Sequence, residues 1–240
     1  MGQQEMLSVL FITYSHNDGF MLKNQDRLLH LLICIGAWIG WYALSIFATM
    51  LPGFTGLFRS GMAIPALIIC FWLPYTLIIW RRYQNHYRTL PLGKVTPSGL
   101  ILPAIALFML VIIQQFTGSP EPWMQSIEQL PARSLVLVAL TATLLAPIVE
   151  EVIFRGFLLN AGEGYGKVGK NAAMLMASVL FAFSHSQYQN ATTFISLFIF
   201  SVILCLARVY SGSLIVPIIL HGLNNAISFS FLLLLDKPLQ

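Results

Sequence analysis

The chain has 240 residues, of which 57% are hydrophobic and 9% charged, with a mean hydropathy of +0.77 and a formal net charge of +4. A soluble domain carries about a quarter charged residues, so this composition excludes one. It implies a polytopic membrane protein with room for about seven spanning helices and no separate soluble domain.

Residues 1–27 are mixed and polar. They lack a basic-then-apolar signal peptide, so the first span is expected to be retained, and Leu7 to Tyr14 is too short to span and reads as an interfacial segment. Leu28 to Leu51 is the first span, with a Gly36-x-x-x-Gly40 spacing that would let another helix approach closely. Pro52-Gly53 ends it, and Gly61 to Trp80 forms the second, with Trp72 and Trp80 as membrane anchors. The most basic loop follows, with Arg81, Arg82, Arg88 and Lys94, before a short third span over Gly99 to Phe116.

Thr117 to Arg133 is a proline-rich loop carrying Glu121 and Glu128. In the fourth span, Ser134 to Leu159, Pro147 cannot donate to the helix ladder, so it frees the carbonyl of Thr143 and predicts a kink. Gly164-x-x-x-x-Gly169-Lys170 matches the first part of a phosphate-binding loop. It lacks the required Ser or Thr at Asn171 and any preceding strand, so a flexible glycine loop is the reading. Asn171 to Ser184, Ala191 to Val209 and Ser213 to Leu235 complete the spans, the sixth almost featureless. Cys34, Cys70 and Cys205 lie in apolar segments with no metal-ligand spacing and read as packing residues.

Against this background Glu150-Glu151-Val152-Ile153-Phe154-Arg155 stands out. A charge at bilayer depth costs at least ~2.5 to 3.5 kcal/mol, so these three must face a protein interior or a watery cavity. Glu151 and Arg155 are four apart on one helical face and can pair, while Glu150 lies ~100° around the axis. A spare, desolvated carboxylate suits a general base or acid, although a structural charge network is the plainer alternative. Phe181 and His185, and His221 and Asn225, repeat the four-residue spacing. A lone histidine in an apolar segment is usually a bonded core residue. Three segments with polar groups at this spacing point instead to one shared centre.

These residues resemble the motifs of the CPBP (CAAX-processing and bacteriocin-processing, or Abi) intramembrane proteases, of the Ras-converting CAAX endopeptidase type. The pattern is Glu-Glu-x-x-x-Arg, Phe-x-x-x-His and His-x-x-x-Asn on successive helices, here Glu150-Glu151 to Arg155, Phe181 to His185, and His221 to Asn225. The resemblance implies an all-α transmembrane bundle with its active centre between the fourth, fifth and seventh helices. It divides the chain into an N-terminal cytoplasmic or interfacial segment (1–27), three accessory helices (28–133) and a catalytic four-helix core (134–235). It also implies an endopeptidase acting on a membrane-associated protein or peptide, with Glu150 as general base, His185 assisting, and His221 and Asn225 stabilising the oxyanion. Glu151, Arg155 and Phe181 would support them. The family's metalloprotease label keeps a divalent metal such as zinc open, but no His-Glu-x-x-His motif is present, so a metal-independent, glutamate-dependent mechanism is the expectation.

Two rivals remain: a proton- or ion-coupled transporter using Glu150, Glu151, His185 and His221 as a relay, and a non-catalytic membrane chaperone or immunity factor. No repeat relates the two halves, which weakens the first; the intact set of site residues weakens the second. The expected partners are the lipid bilayer and the substrate, and nucleic acid is excluded, because the charge lies in basic loops rather than a basic face. The sequence leaves the oligomeric state open.

Lys23, Arg27, Arg81, Arg82, Arg88, Lys94, Lys167, Lys170 and Arg208 fall on one side, against Arg59, Arg133 and Lys237 on the other. This predicts a cytoplasmic N-terminus and an external C-terminus. A bacterial inner membrane is expected, with the endoplasmic reticulum an open alternative. Glu150 and His221 would lie ~14 and ~12 Å from the inner ends of their helices but His185 ~21 Å, a conflict that requires the fifth helix to tilt or to begin below the membrane surface.

Overall fold

Lipid offers no hydrogen bonds to a bare backbone, so apolar runs of this length must satisfy their peptide groups internally, as helices do. The computed structural model describes residues 24–235 and holds helices and no strand among them. The N-terminal stretch from Leu7 to Tyr14 lies outside the described residues. In chain order the helices are α1 (Asn24–Thr49), the short α2 (Phe54–Arg59), α3 (Ala63–Tyr87), α4 (Pro97–Thr117), the short α5 (Pro122–Glu128), α6 (Ala132–Leu158), α7 (Gly166–Ser184), α8 (Ala191–Ser211) and α9 (Ile215–Leu235). Among the described residues, α1, α3, α4, α6 and α8 are long and apolar enough to cross a membrane. Helix α9 is apolar over most of its 21 residues, and α7 opens on Gly166-Lys-Val-Gly-Lys170. The chain is a polytopic helical bundle. Its outer surface is apolar, with Leu32 57%, Leu102 65% and Phe116 85% exposed, as a surface solvated by lipid requires.

Helix α6 is the axis of the bundle. Its two halves pack against α1, α7 and α9, while α8 fills the space between α4 and α7. It is not a regular α-helix. A π-turn runs over Thr141–Leu145, where the Ala146 N–H donates to the Thr141 carbonyl, and a second runs over Val152–Leu158. In the first, the register slips one residue just before Pro147. The acceptor left without a helical donor by the missing proline N–H is therefore Ala142, five residues back, and its carbonyl receives the Asn225 side chain at 2.9 Å. This corrects the expectation that Thr143 would be the carbonyl concerned. The Thr143 carbonyl instead faces Gly222, where a Cβ would come within 2.9 Å of it, so only glycine lets α9 lie this close to α6.

Other expectations change in detail. The glycine-rich stretch is a loop only as far as Tyr165; Gly166 to Lys170 form the first turns of α7, and Lys170 reaches back to Glu163 at 3.3 Å. Helix α7 thus starts five residues earlier than its apolar content suggests, with polar opening turns. Of the glycine pair in α1, Gly40 lies against the Tyr75 side chain of α3, while a Cβ added at Gly36 would meet no other part of the bundle within 4 Å. The spacing therefore seats one tyrosine, not a helix along both glycines. Trp72 donates to Ser45 at 3.0 Å and Trp80 to the Leu90 carbonyl at 3.0 Å, so both indoles tie parts of the bundle together. Cys34 and Cys205 are buried in the core as packing residues, whereas Cys70 is exposed.

Candidate active site

The centre is assembled on the second π-turn of α6, whose residues from Val152 to Leu158 are all buried. Arg155 is fully buried there. Such a charge must be compensated, because leaving it unpaired costs about 3 to 5 kcal/mol. Its Nη1 donates to Glu151 Oε1 at 2.9 Å, and its Nη2 donates to the Ser201 hydroxyl at 2.9 Å and more weakly to the Ser201 carbonyl at 3.4 Å. Its guanidinium also lies 4.5 Å from the centre of the Phe181 ring, a cation–π contact. Ser201 belongs to the span read as almost featureless. A small hydroxyl in an otherwise apolar helix was the available signal.

Phe181 is fully buried and packs on Phe154 at 5.1 Å, on the His185 ring at 4.6 Å and on the His221 ring at 5.9 Å between centroids. It touches the Arg155 guanidinium on one side and packs on both imidazoles, which narrows where each ring can lie. His185 caps the end of α7. Its Nδ1 donates to the Phe181 carbonyl at 2.8 Å. His221 Nδ1 donates to Glu151 Oε1 at 2.7 Å. Both acceptors are oxygens without protons to give, so both rings carry a hydrogen on Nδ1 and turn Nε2 the other way.

That other way is Glu150. Its Oε2 lies 4.0 Å from His185 Nε2 and 3.9 Å from His221 Nε2. The same oxygen is buried and has no hydrogen-bond partner among the described residues. Glu150, His185 and His221 therefore meet, although their depths estimated along each helix conflict. Asn225 sits one helical turn beyond His221, with one amide hydrogen committed to Ala142 and the other uncommitted. All seven residues named from the motifs thus fall on the facing parts of α6, α7 and α9.

Among the described residues no group of three or more His, Cys, Asp or Glu side chains is placed to hold a metal ion. Two ligands on one tetrahedral zinc stand about 3.3 Å apart, closer than either imidazole stands to Glu150 here. The donors as placed do not fit such an ion.

A polytopic helical protein whose few intramembrane charges converge on one enclosed centre belongs to the class of membrane-embedded enzymes and transporters, and comparison with known proteins decides between the two. The family model described as type II CAAX prenyl endopeptidase Rce1-like matches residues 132–227. A protein of Escherichia coli called "Uncharacterized 24.3 kDa protein" is 31% identical over 158 residues, covering 62% of this chain and 72% of that one. The membrane-embedded CAAX protease MroQ of Staphylococcus aureus is 31% identical over 113 residues, covering 45% of this chain and 44% of MroQ. No solved structure matches. The chain belongs to the CAAX protease family: it is a CAAX-type intramembrane protease, a hydrolase acting on peptide bonds of a protein or peptide substrate.

Proposed function

We propose that this protease hydrolyses a membrane-associated protein or peptide with a water activated by Glu150. The observation that carries the reading is the pair of 4.0 and 3.9 Å distances from one carboxylate oxygen to two imidazole nitrogens. These are too long for direct hydrogen bonds and fit groups that act through one shared water. Glu150 accepts the proton of that water as it attacks the carbonyl carbon, and His185 Nε2 assists in passing the proton to the leaving amine. His221 Nε2 and the uncommitted amide hydrogen of Asn225 stabilise the oxyanion. Because His221 Nδ1–H is already given to Glu151, His221 can donate through Nε2 only as the doubly protonated ring, and Glu151 supplies the counter-charge. No step runs through a metal.

The proposal places the N-terminus in the cytoplasm of a bacterial cell and the centre within the inner membrane, on the strength of the loop charges. Labelling of a cysteine introduced at residue 88 only from outside the cell would overturn that orientation. The chemistry is tested by comparative mass spectrometry of membrane and secreted peptides from cells carrying wild-type or Glu150→Gln protein. Peptides present only with the wild type are expected. Identical peptide sets, with both proteins folded in the membrane, would reject Glu150 as the base.

A further inference from the structure

The connection from α7 to α8, residues 185–190, carries His185 at one end, and its other end is held by a residue about seventy positions earlier. The Glu121 side chain, between α4 and α5, accepts from the backbone N–H of Gln189 at 2.9 Å and of Asn190 at 3.2 Å, and from the Thr193 hydroxyl. Asn190 is the N-cap of α8 but makes no side-chain cap of its own. Its amide reaches the Pro120 carbonyl instead, at 3.1 Å. Glu121 thus does the capping from another part of the chain and is itself only 7% exposed.

The hold passes on towards His185. The Tyr188 N–H donates to the His185 carbonyl at 3.1 Å, and the Tyr188 ring lies nearly parallel to the imidazole, with 12° between the planes and 6.3 Å between centroids. Tyr188 also meets Trp123, two residues beyond Glu121, edge-on at 5.6 Å. Helix α7 holds the imidazole through the bond from Nδ1 to the Phe181 carbonyl, but His185 is its C-cap and its backbone has already left helical geometry, at φ −98° and ψ 40°, so its placement also depends on the connection that follows.

We propose that Glu121 is a positioning residue for the hydrolytic reaction: by clamping Gln189 and Asn190 it sets the placement of the His185 imidazole opposite Glu150. This rests on His185 working with Glu150. A displacement of about 1 Å at a reacting group costs on the order of a hundredfold in rate, so a clamp remote from the substrate has leverage on turnover.

The test uses the full chain in detergent, with the variants Glu121→Gln and Glu121→Ala. Diethylpyrocarbonate modification, read by mass spectrometry, reports His185 and His221 separately. Turnover is followed on a membrane-anchored fluorogenic peptide, with Glu150→Gln as the blank. His185 is expected to become severalfold more reactive while His221 changes less than about twofold, and kcat to fall at least about tenfold with KM nearly constant. Unchanged reactivity and turnover would overturn the proposal. So would an equal rise at both histidines, which is general loosening, or a loss confined to KM. Wild-type turnover by Glu150→Gln would instead reject the underlying reading of the site, whatever the Glu121 variants do.

Discussion

His221 gives its Nδ1 proton to Glu151, not to Glu150, across 2.7 Å. The same Glu151 oxygen also receives Arg155. One oxygen of Glu151 therefore holds two other residues, while the neighbouring Glu150 faces both Nε2 atoms.

Glu151→Gln should consequently fail in two separable ways. Arg155 loses its counter-charge, at about 3 to 5 kcal/mol, so the protein should accumulate poorly in membranes. Removing both charges, with Glu151→Gln and Arg155→Met together, should restore accumulation, since replacing a buried pair is often neutral. Turnover should nonetheless stay roughly a hundredfold or more below wild type, because His221 has lost the partner that orients it. Immunoblots of membranes and turnover per folded molecule separate the two effects. Wild-type turnover in the double variant would show that Glu151 serves Arg155 alone.

If Asn225 donates to the oxyanion as proposed, Asn225→Ala should lower the rate by about 10² to 10³, the usual cost of losing one such contact. It also strips the Ala142 carbonyl of its donor, so thermal stability in detergent should fall by about 1 to 3 kcal/mol. Residual cleavage above the Glu150→Gln blank is expected. If turnover per folded molecule equals wild type, the amide does no more than satisfy Ala142.

The parts of this site that sequence makes legible are those whose logic is local. Glu151 and Arg155 pair because they are four apart on one helix, and charge at membrane depth must find company. Pro147 announces a freed carbonyl, but which one depends on a π-turn that no residue pattern reports, and so Ala142 and not Thr143 receives Asn225. The helices α2 and α5 are too short for periodicity to reveal. Glu121 reads as an ordinary loop acid because its partners, Gln189, Asn190 and Thr193, lie about seventy residues away. The long apolar spans are plain in composition; what turns them into a centre is tertiary contact between distant polar groups.

Chelation is the direct check on the proposed metal-independent mechanism. With the imidazoles 4.0 and 3.9 Å from the Glu150 oxygen, further than co-ligands of one zinc ion would stand, 1,10-phenanthroline or EDTA should leave turnover unchanged. Loss of activity on chelation, restored by zinc and not by magnesium, would place an ion between these residues and reassign His185 and His221 as its ligands.

Glu121 makes the clamp sensitive to acid, with a sign that follows from its surroundings. Burial pushes its carboxyl up, but hydrogen bonds from Thr193, Gln189 and Asn190 outweigh that and hold it below the ordinary value of 4.5. A group lowered on folding contributes stability that is fully present above its unfolded value and is lost as pH falls through its folded value. The window of loss therefore lies below about pH 4.5. Glu121→Gln carries no such charge at any pH, so the comparison isolates the Glu121 contribution. The difference in thermal stability between wild type and Glu121→Gln in detergent should be largest near neutrality, hold down to the ordinary glutamate range, and shrink below it. A difference that is constant with pH, or that widens in acid, would mean that the Glu121 charge does not hold the α7–α8 connection.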